Sequence, residues 1–362
     1  MERRSFLKAA TVGAAGATLA APSIAKAAPK VEWRMASSFP KSLDTIYGGG
    51  EMIAKRVSEL TDGAFQIRVF AGGEIVPPLA VLDAVQAGTV QCGHSASYYY
   101  VGKDPTFAFE SAMPFGLNAR QQNAWLFHGG GMELLREFYK DYNVLNFPAG
   151  NTGTQMGGWF RKEIKTAADL QGLKMRIAGI AGNVMAKLGV VPQQLGGGDI
   201  YPALEKGTID ATEWVGPYDD EKLGFYKVAK YYYYPAFWEG GTTLSAFANA
   251  EAFNALPKQF QQAFATAAME ATLDMQAKYD VQNGAAIRRL VANGVQLKPF
   301  PQDVMLSAQK AAFAMYDEMA ASNPKFGKIY GPWRQFRDDI QGWWKVAEFN
   351  FDYFSLTNPV KK

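Results

Sequence analysis

The first residue that raises a chemical question is Arg176, which interrupts the apolar run L-K-M-R-I-A-G at positions 173–179. The preceding L-Q-G and the trailing Gly179 are typical turn residues, so the run predicts a short core strand with Arg176 near its end. A guanidinium is always charged and is costly to desolvate unless an anion meets it. Arg176 therefore indicates either an internal ion pair, for instance with Asp169, or a site for an anionic ligand.

Other polar and aromatic residues would suit recognition of a small anion. An arginine can pair a carboxylate through two parallel N–H bonds, amides and phenols can take the remaining oxygens, and tryptophan can exclude water. The residues of these types are Asn151 and Gln155 in N-T-G-T-Q, the tyrosines Tyr98 to Tyr100, Trp214, and the carboxylates Glu213 and Glu239. Each has an ordinary structural interpretation when taken singly, and only the combination with Arg176 indicates a binding site.

Residues suited to catalysis are scarce. The chain has two histidines, His94 and His128, and one cysteine, Cys92, and it contains no H-E-x-x-H, C-x-x-C, G-x-S-x-G or P-loop motif. The Gly-Gly-Gly runs at 48–50, 129–131 and 196–198 lack the G-x-G-x-x-G spacing and are better explained as flexible loops. We expect a binding protein and not an enzyme.

The first 27 residues predict an export signal. A basic start containing R-R-S-F-L-K, which resembles a twin-arginine signal, precedes an apolar stretch and an A-x-A site at 25–27. Removing them takes away four of the 37 basic and one of the 34 acidic residues, so the mature chain is close to neutral. Without a basic stripe or a further long apolar run, we expect no nucleic acid partner, no membrane span and a location in the periplasm. The lone Cys92 predicts a buried small hydrophobe, or alternatively an intermolecular bridge.

The chain begins as alternating strand and helix. A strand over 31–35 precedes a helical run over 51–61 and an alternating strand over 65–70, which predicts a largely parallel sheet. The pattern A-V-Q-A-G-T-V-Q-C at 84–92 is echoed by A-L-E-K-G-T-I-D-A at 203–211, each predicting a helix end, a left-handed glycine and a strand that begins at the threonine. Two related lobes would place the segments 94–100 and 213–218, which follow these strands, in one cleft with Arg176.

The last third of the chain predicts helices. One begins with Pro257 at its first position and runs to about Ala292, long enough to connect two lobes, and a second spans 303–321. We therefore divide the chain into a signal at 1–27, lobe I at 28–150, lobe II at 151–250, connecting and returning helices at 251–330, and a C-terminal aromatic helix at 331–362. The aromatic residues of this last segment must dock either on the chain's own body or on a second protomer.

Four segments resemble the solute-binding proteins of TRAP transporters, and the resemblance spans nearly the whole mature chain. They are W-R-M-A-S-S-F-P at 33–40, F-Q-I-R-V-F-A-G-G-E-I-V-P-P at 65–78, L-Q-G-L-K-M-R-I-A-G at 170–179, and A-L-E-K-G-T-I-D-A-T-E-W-V-G-P at 203–217. The similarity is to the branch that binds 2-oxo acids and related monocarboxylates such as pyruvate. It implies an α/β, two-lobed periplasmic binding protein fold with mainly parallel sheets, a long lobe-connecting helix and a C-terminal helical extension.

The resemblance also implies a ligand set. Arg176 matches the family's arginine that clamps the ligand carboxylate, and Asn151, Gln155, Trp214, Tyr98 and Tyr100 are the other candidate substrate-binding residues. A bridging cation, Na⁺ or Ca²⁺, is implied at Gln155, Glu213, the Trp214 carbonyl and Glu239, all of which offer the oxygen ligands that a hard cation requires. The implied partners are the TRAP membrane permease subunits and a second copy of the chain, joined by exchange of C-terminal helices.

We therefore predict a periplasmic binding protein for a small 2-oxo or 2-hydroxy monocarboxylate. The first alternative is a dicarboxylate or sugar-acid binder, for which Lys41, Arg68 or Lys174 could supply a second cationic anchor. The second alternative is an exported enzyme. We also expect Arg176→Ala to abolish binding while leaving the melting temperature nearly unchanged.

Overall fold

The structure, a computed structural model, describes residues 30–359, and its strands form two mixed sheets, one in each of two lobes. The predicted export signal at 1–27 lies outside the described residues. The strands are β1 (Val31–Ser37), β2 (Phe65–Phe70), β3 (Cys92–Ser95), β4 (Val144–Asn151), β5 (Gly158–Phe160), β6 (Lys174–Arg176), β7 (Val191–Gln193), β8 (Ala211–Thr212), β9 (Tyr231–Tyr234), β10 (Thr243–Asn249) and β11 (Gln296–Pro299). Sheet 1 has the order β2-β1-β3-β10-β4, and sheet 2 has the order β11-β9-β5-β8-β6-β7.

Helices cover the faces of both sheets. They are α1 (Ile46–Leu60), α2 (Val81–Gln86), α3 (Ala108–Ser111), α4 (Ala119–His128), α5 (Gly131–Tyr139), α6 (Gly179–Lys187), α7 (Gly197–Glu205), α8 (Pro217–Leu223), α9 (Ala250–Asn254), α10 (Lys258–Ala292), α11 (Gln302–Ser322), α12 (Pro324–Val346) and α13 (Glu348–Thr357). Single 3-10 turns occur at Pro78–Ala80, Ser97–Tyr100, Pro105–Phe107, Lys140–Tyr142, Ala167–Leu170 and Phe225–Lys227. No helix within residues 30–359 has an apolar stretch long enough to cross a membrane.

The two lobes repeat one design, as the echoed segments predict. In sheet 1, β1 pairs in parallel with β2 and β3, and in sheet 2, β6 pairs in parallel with β7 and β8. Gly88 and Gly207 end the echoed helical segments with φ of 71° and 72°, the left-handed conformation that favours glycine. The prediction that each strand begins at the threonine is wrong, because β3 and β8 begin three residues later, at Cys92 and Ala211.

The sheets are mixed because of two of the crossings that the chain makes between the lobes. It leaves sheet 1 after β4 and returns through β10, so β10 pairs antiparallel with β3 and β4, while β5 pairs antiparallel with β8 and β9. The predicted boundary of lobe II at 151–250 is therefore wrong for β10, which belongs to sheet 1. The crossover segments, residues 152–157 and 235–242, run side by side and are joined by backbone bonds of 3.1 Å from Thr152 N to Thr242 O and from Gln155 N to Glu239 O.

Helix α10 connects the lobes, as predicted. Its 35 residues span about 52 Å at 1.5 Å per residue. Phe264 and Ala267 pack in the core of sheet 1, whereas Tyr279 and Leu290 pack in the core of sheet 2. Pro257 is the N-cap residue and not the first helical residue, a shift of one position from the prediction.

The C-terminal aromatic segment divides into two parts. On α12, Trp333 is buried and Phe336 and Ile340 are partly buried against the body of the chain, which confirms docking on the chain itself for this part of the segment 331–362. On α13 no described residue is buried, and its apolar side chains are largely exposed. These are Phe349, Phe351, Tyr353, Phe354 and Leu356.

Cys92 is fully buried in β3, which confirms its prediction as a small hydrophobic core residue. Burial raises the pKa of its thiol, so the reactive thiolate form is suppressed. An intermolecular disulfide would require the core of sheet 1 to open.

Candidate functional site

A small cavity lies between the lobes, where the 3-10 turn after β3 faces the end of β6 and the loop after β8. Its lining residues are Phe39, Ile46, Tyr98, Tyr99, Thr152, Gln155, Arg176, Trp214, Val215, Thr242 and Leu244. The lining atoms leave about 250 Å³ of space between them, of which only about 10 Å³ admits the centre of a water molecule. The structure therefore brings the predicted segments 94–100 and 213–218 together with Arg176, in a tightly closed cleft.

Arg176 is the last residue of β6 and is 1% exposed. Its Nη1 donates to the Glu213 carboxylate and, at 2.9 Å, to the Glu213 carbonyl, and its Nε donates to the Leu195 carbonyl at 3.2 Å. Within residues 30–359, Nη2 makes no such hydrogen bond, so its N–H groups remain for a ligand, and the Tyr99 hydroxyl also lies within reach of the guanidinium. The guanidinium carbon lies 5.1 Å from the centre of the Trp214 ring, which shields this ion pair from water.

The ion pair with Asp169 that the sequence left open does not form. Asp169 instead accepts hydrogen bonds from the backbone amides of Lys165 and Thr166, both at 2.9 Å. Burial has the largest single effect and acts to lower the pKa of Arg176, but the charges of Glu213, Tyr99, Tyr98 and Glu239 together outweigh it and leave that pKa raised. The guanidinium is thus a permanent cation inside the cleft.

Glu213 has one carboxylate oxygen that is satisfied and one that is not. Oε1 accepts from Arg176 and from the backbone amide of Ala178 at 2.9 Å. Oε2 is buried and has no hydrogen-bond partner in the described part of the chain. Burial raises the pKa of Glu213, and the positive charge of Arg176 opposes that shift. An unpartnered buried carboxylate oxygen next to a cavity calls for a cation or a proton.

Three further oxygen atoms converge where the crossover segments meet the loop after β8. Gln155 Oε1 lies 2.5 Å from Glu239 Oε2 and 2.6 Å from the Trp214 carbonyl oxygen. Its Nε2 donates to the hydroxyls of Thr152 and Thr242, both at 3.1 Å. Turning the amide over would make it a donor to Glu239 and Trp214 instead. The turned amide accounts for these short separations by hydrogen bonds within the chain, and in the other orientation a proton or a cation among the three oxygens accounts for them.

These residues fit a hard cation. The pKa of Glu239 is raised well above its ordinary value by burial and by the negative charge of Glu213, so this carboxylate favours a proton or a cation beside it. The donors are two carboxylates, one amide oxygen and one backbone carbonyl, the set that Na⁺ and Ca²⁺ prefer. Within residues 30–359 no group of three or more His, Cys, Asp or Glu side chains could hold a metal ion. A metal site in this part of the chain would therefore have to include amide or carbonyl oxygens, which Gln155 and Trp214 offer.

Two predicted ligand-binding residues do not reach the cavity. The Tyr100 hydroxyl accepts from the Leu82 amide at 3.1 Å and lies 3.0 Å from the Ser95 hydroxyl, inside lobe I. Successive side chains of a 3-10 turn point about 120° apart, so Tyr98 and Tyr99 face the cavity and Tyr100 does not.

Asn151 shapes the crossover and does not line the cavity. Its Oδ1 accepts from the Gly153 amide at 2.9 Å, and its Nδ2 donates to the Gly241 carbonyl at 3.4 Å and to the Thr243 hydroxyl at 3.3 Å. Both ends of the amide are therefore committed to the chain itself. Glu213 and Glu239 also lie behind the lining, but they contact Arg176 and Gln155, which belong to it.

Several lining residues were missed from the sequence. They are Phe39, Ile46, Thr152, Thr242 and Leu244. Phe39 follows β1, so the rule that ligands bind beyond the carboxyl ends of strands could have identified it. Thr152 and Thr242 had no such signal, because they meet only through the pairing of the two crossover segments.

Arg176 is the only cationic side chain among the lining residues of the cavity in the described chain. Lys41, Arg68 and Lys174 are exposed and lie outside it. The second cationic anchor that a dicarboxylate binder would need is therefore absent from the lining that residues 30–359 provide.

An ion-pair network at the mouth of the cleft joins the lobes. Asp44, in the loop after β1, pairs with Lys222 on α8 and with Lys278 on α10, the latter at 2.8 Å. The Tyr218 hydroxyl on α8 donates to the same carboxylate at 3.2 Å. Although partial burial acts to raise it, hydrogen bonds from the two lysines lower the pKa of Asp44 to about 2. The contact requires the lobes to be close together, so it stabilises the closed cleft.

A family profile and a known relative both match this chain over most of its length. The profile of the DctP family, the bacterial extracellular solute-binding proteins of family 7, matches residues 36–323. A monocarboxylate 2-oxoacid-binding periplasmic protein of Nostoc sp. is 52% identical over 99% of this chain and 100% of its own length.

Solved crystal structures share the fold. A TRAP transporter solute-binding protein from Bordetella bronchiseptica, a mixed-occupancy dimer with copurified calcium and picolinate in one active site and an apo site, is 53% identical with a TM-score of 0.90, covering 91% of this chain and 98% of its own. A TRAP periplasmic solute-binding protein from Pseudoalteromonas atlantica, with bound sodium and pyruvate, is 41% identical with a TM-score of 0.86, covering 89% and 98%.

Proposed function

Because the chain belongs to the DctP family of bacterial extracellular solute-binding proteins, we propose that it captures a small 2-oxo or 2-hydroxy monocarboxylate such as pyruvate for a TRAP transporter. It is a receptor and not an enzyme, and it releases its ligand chemically unchanged. Delivery is to the membrane permease subunits of the transporter. The family is extracytoplasmic, and the predicted signal at 1–27 supports export to the periplasm by the twin-arginine route.

The observation that carries this proposal is that Nη2 of the buried Arg176 guanidinium is free for a ligand. The side chain is 1% exposed, is held by Glu213 and the Leu195 carbonyl, and keeps Nη2 for an incoming carboxylate. A buried charge-assisted hydrogen bond is stronger than its exposed counterpart, so one carboxylate can be held firmly here. The lack of another lining cation favours a ligand with a single carboxylate.

We also propose that a cation, Na⁺ or Ca²⁺, is held by Gln155, Glu213, the Trp214 carbonyl and Glu239. When bound, it would supply positive charge that attracts the oxygens of the ligand. Two carboxylates and a ligand carboxylate carry three negative charges against the one positive charge of Arg176. A divalent ion would therefore neutralise the site, and Na⁺ would leave one negative charge. The bound calcium and sodium of the Bordetella and Pseudoalteromonas proteins support this assignment.

Calorimetric titration with pyruvate tests the proposed function. We expect a one-to-one complex of about micromolar affinity in the presence of Ca²⁺ or Na⁺, corresponding to about −8 kcal/mol. Succinate, a dicarboxylate, should bind at least tenfold more weakly, because the cavity lining has one cationic anchor. Mass spectrometry of the ligand after incubation should recover pyruvate unchanged. Stronger binding of succinate or glucuronate, or conversion of pyruvate, would overturn this function.

The Asp44 network predicts a salt-sensitive contribution to closure. Asp44→Ala should weaken pyruvate binding about two- to fivefold, because exposed ion pairs contribute about 0.2–1 kcal/mol each. Asp141→Ala is the matched control, since Asp141 has similar exposure and pairs with Lys325 away from the cleft. Titrations at low and high salt measure both effects. An Asp44→Ala protein with wild-type affinity at low salt would show that the network does not stabilise closure.

We further propose that α13 mediates a homodimer. Its exposed apolar residues form a surface that is unfavourable in water, and the Bordetella relative is a dimer. A second copy of this chain is the occupant that fits, because exchange of the two C-terminal helices would cover both surfaces at once.

Truncation tests the dimer. A chain ending at residue 347 should be monomeric by light scattering, whereas the full mature chain should be a dimer. The truncated chain should still bind pyruvate, since no cavity residue lies beyond Leu244. A full-length monomer at micromolar concentration, or a truncated dimer, would contradict this assignment of α13.

A further inference from the structure

Asp220 lies directly behind the peptide whose carbonyl belongs to the proposed cation site. The carboxylate is 1% exposed, and its Oδ1 accepts from the Val215 amide at 3.3 Å. That N–H and the Trp214 carbonyl belong to one planar trans peptide, so they point in opposite directions. The carbonyl faces Gln155 Oε1 at 2.6 Å, on the cavity side. Asp220 and the proposed cation site therefore hold the two ends of the same peptide dipole.

The carboxylate of Asp220 is itself firmly fixed. Its Oδ2 accepts from Trp159 Nε1 on β5 at 2.9 Å and from the Tyr232 hydroxyl on β9 at 2.7 Å. The rings of Trp159 and Tyr232 stack with a centroid separation of 4.0 Å and an angle of 16°. Both donors come from neighbouring strands of sheet 2, which fixes the position of the carboxylate relative to the loop after β8.

Asp220 is also an unusual residue to bury. Its hydrogen-bond donors are neutral, and within residues 30–359 it forms no salt bridge. Burial raises its pKa to about 7, with hydrogen bonds from Tyr232 and Trp159 opposing that shift. A carboxylate buried without a cationic partner costs free energy, and a residue serving only to join strands could be neutral. An acidic residue at this buried position, bonded to the Val215 amide, points to a role toward a positive charge on the other side of the peptide.

We infer that Asp220 is a positioning residue for the cation, which orients and polarises the Trp214–Val215 peptide so that the Trp214 carbonyl becomes a stronger ligand. This inference rests on the proposed function, because it requires a cation in the cleft. A negative charge at the N–H end of a peptide increases the electron density at its carbonyl oxygen. Partners that fix metal ligands from behind commonly change metal affinity by 10- to 100-fold.

The test compares Asp220→Asn with Asp219→Asn. Asp219 is the adjacent buried carboxylate, which accepts from the Tyr279 hydroxyl at 2.7 Å and contacts the Trp214 indole, but in the described chain it makes no hydrogen bond to the backbone of the Trp214–Val215 peptide. Chelator-treated protein is titrated with Ca²⁺ alone, and with Na⁺ in parallel, at a temperature well below unfolding. Asp220→Asn should raise the cation Kd about 10- to 100-fold, whereas Asp219→Asn should change it less than twofold.

The outcomes separate the possible roles. A lower melting temperature with an unchanged cation Kd in Asp220→Asn would reduce Asp220 to a support of sheet 2 and overturn the inference. If Asp220→Asn does not fold, the Val215 amide resonance of the wild-type protein decides, since cation binding at the same peptide should shift it and an unshifted resonance contradicts the inference. A wild-type protein that binds neither ion would instead overturn the proposed cation site, and this inference with it.

Discussion

Arg176→Ala should reduce pyruvate affinity by at least about 100-fold, to a level that calorimetry barely detects. The variant loses the only cationic group in the cavity lining of the described chain. Truncating one partner of a buried, hydrogen-bonded charge pair costs about 2–5 kcal/mol. Retained affinity would remove the carboxylate clamp from the account.

The same substitution should also lower the melting temperature, which corrects the expectation from sequence. Arg176 pairs with Glu213 in the protein interior, and removing one member of a buried pair costs about 3–5 kcal/mol. Because burial raises the pKa of Glu213, uptake of a proton will offset part of that cost. Loss of ligand binding by Arg176→Ala alone could then reflect local disorder of the cleft.

Arg176→Lys separates the two effects. The lysine keeps the positive charge beside Glu213 but lacks the planar guanidinium, whose N–H groups can bond to Glu213, Leu195 and a ligand at the same time. We expect a pyruvate affinity at least tenfold below wild type with a smaller loss of melting temperature. Lys174→Ala is the control, because Lys174 lies on the same strand but is exposed. If Arg176→Lys bound pyruvate as tightly as wild type, the proposed role of the guanidinium in holding the ligand carboxylate would be wrong.

Removing the cation should weaken pyruvate binding by at least about 100-fold. Without it, the ligand carboxylate enters a site where Glu213 and Glu239 are both buried and where burial and their mutual repulsion already raise the pKa of Glu239. Calorimetry in choline buffer after chelation, compared with the same buffer plus Ca²⁺ or Na⁺, measures the difference. Equal affinity in the two buffers would exclude a bridging cation.

The variant Glu239→Gln tests the same cation by removing one of its proposed protein ligands. The variant should lose cation affinity, and its residual pyruvate binding should no longer respond to added Ca²⁺. Glu251→Gln, an exposed carboxylate at the start of α9, should behave as wild type. Since the raised pKa of Glu239 means that a cation must displace its proton, cation affinity should rise with pH. Titrations in buffers of different ionisation enthalpy should detect the released proton, and a pH-independent Kd would contradict this exchange.

The parts of the site that follow strand ends could be predicted from sequence. Arg176 ends β6, and Trp214 follows β8, so the carboxyl-end rule for parallel strands places both at one cleft. The partner of Arg176 could not be predicted in the same way. Asp169 is close in sequence, but Glu213, 37 residues away, follows the neighbouring strand, and only the pairing of β6 with β8 brings it into contact.

Other features depended on tertiary structure that no local pattern carries. The run Thr243–Asn249 reads as a strand, but nothing in it specifies sheet 1 over sheet 2, so the return of β10 to lobe I was missed. Three consecutive tyrosines gave no indication that Tyr99 would face the cavity and Tyr100 the core. Thr152 and Thr242 both contact Gln155 because the two crossover segments pair with each other, although they lie about 90 residues apart in the sequence.

A crystal structure of the mature protein with pyruvate and Ca²⁺ is the most direct test of the central claim. We predict that the ligand carboxylate accepts a hydrogen bond from Nη2 of Arg176. We also predict that the calcium ion lies about 2.3–2.6 Å from oxygens of Gln155, Glu213, Trp214 and Glu239. Pyruvate bound away from Arg176, or a calcium ion outside this set of oxygens, would contradict it.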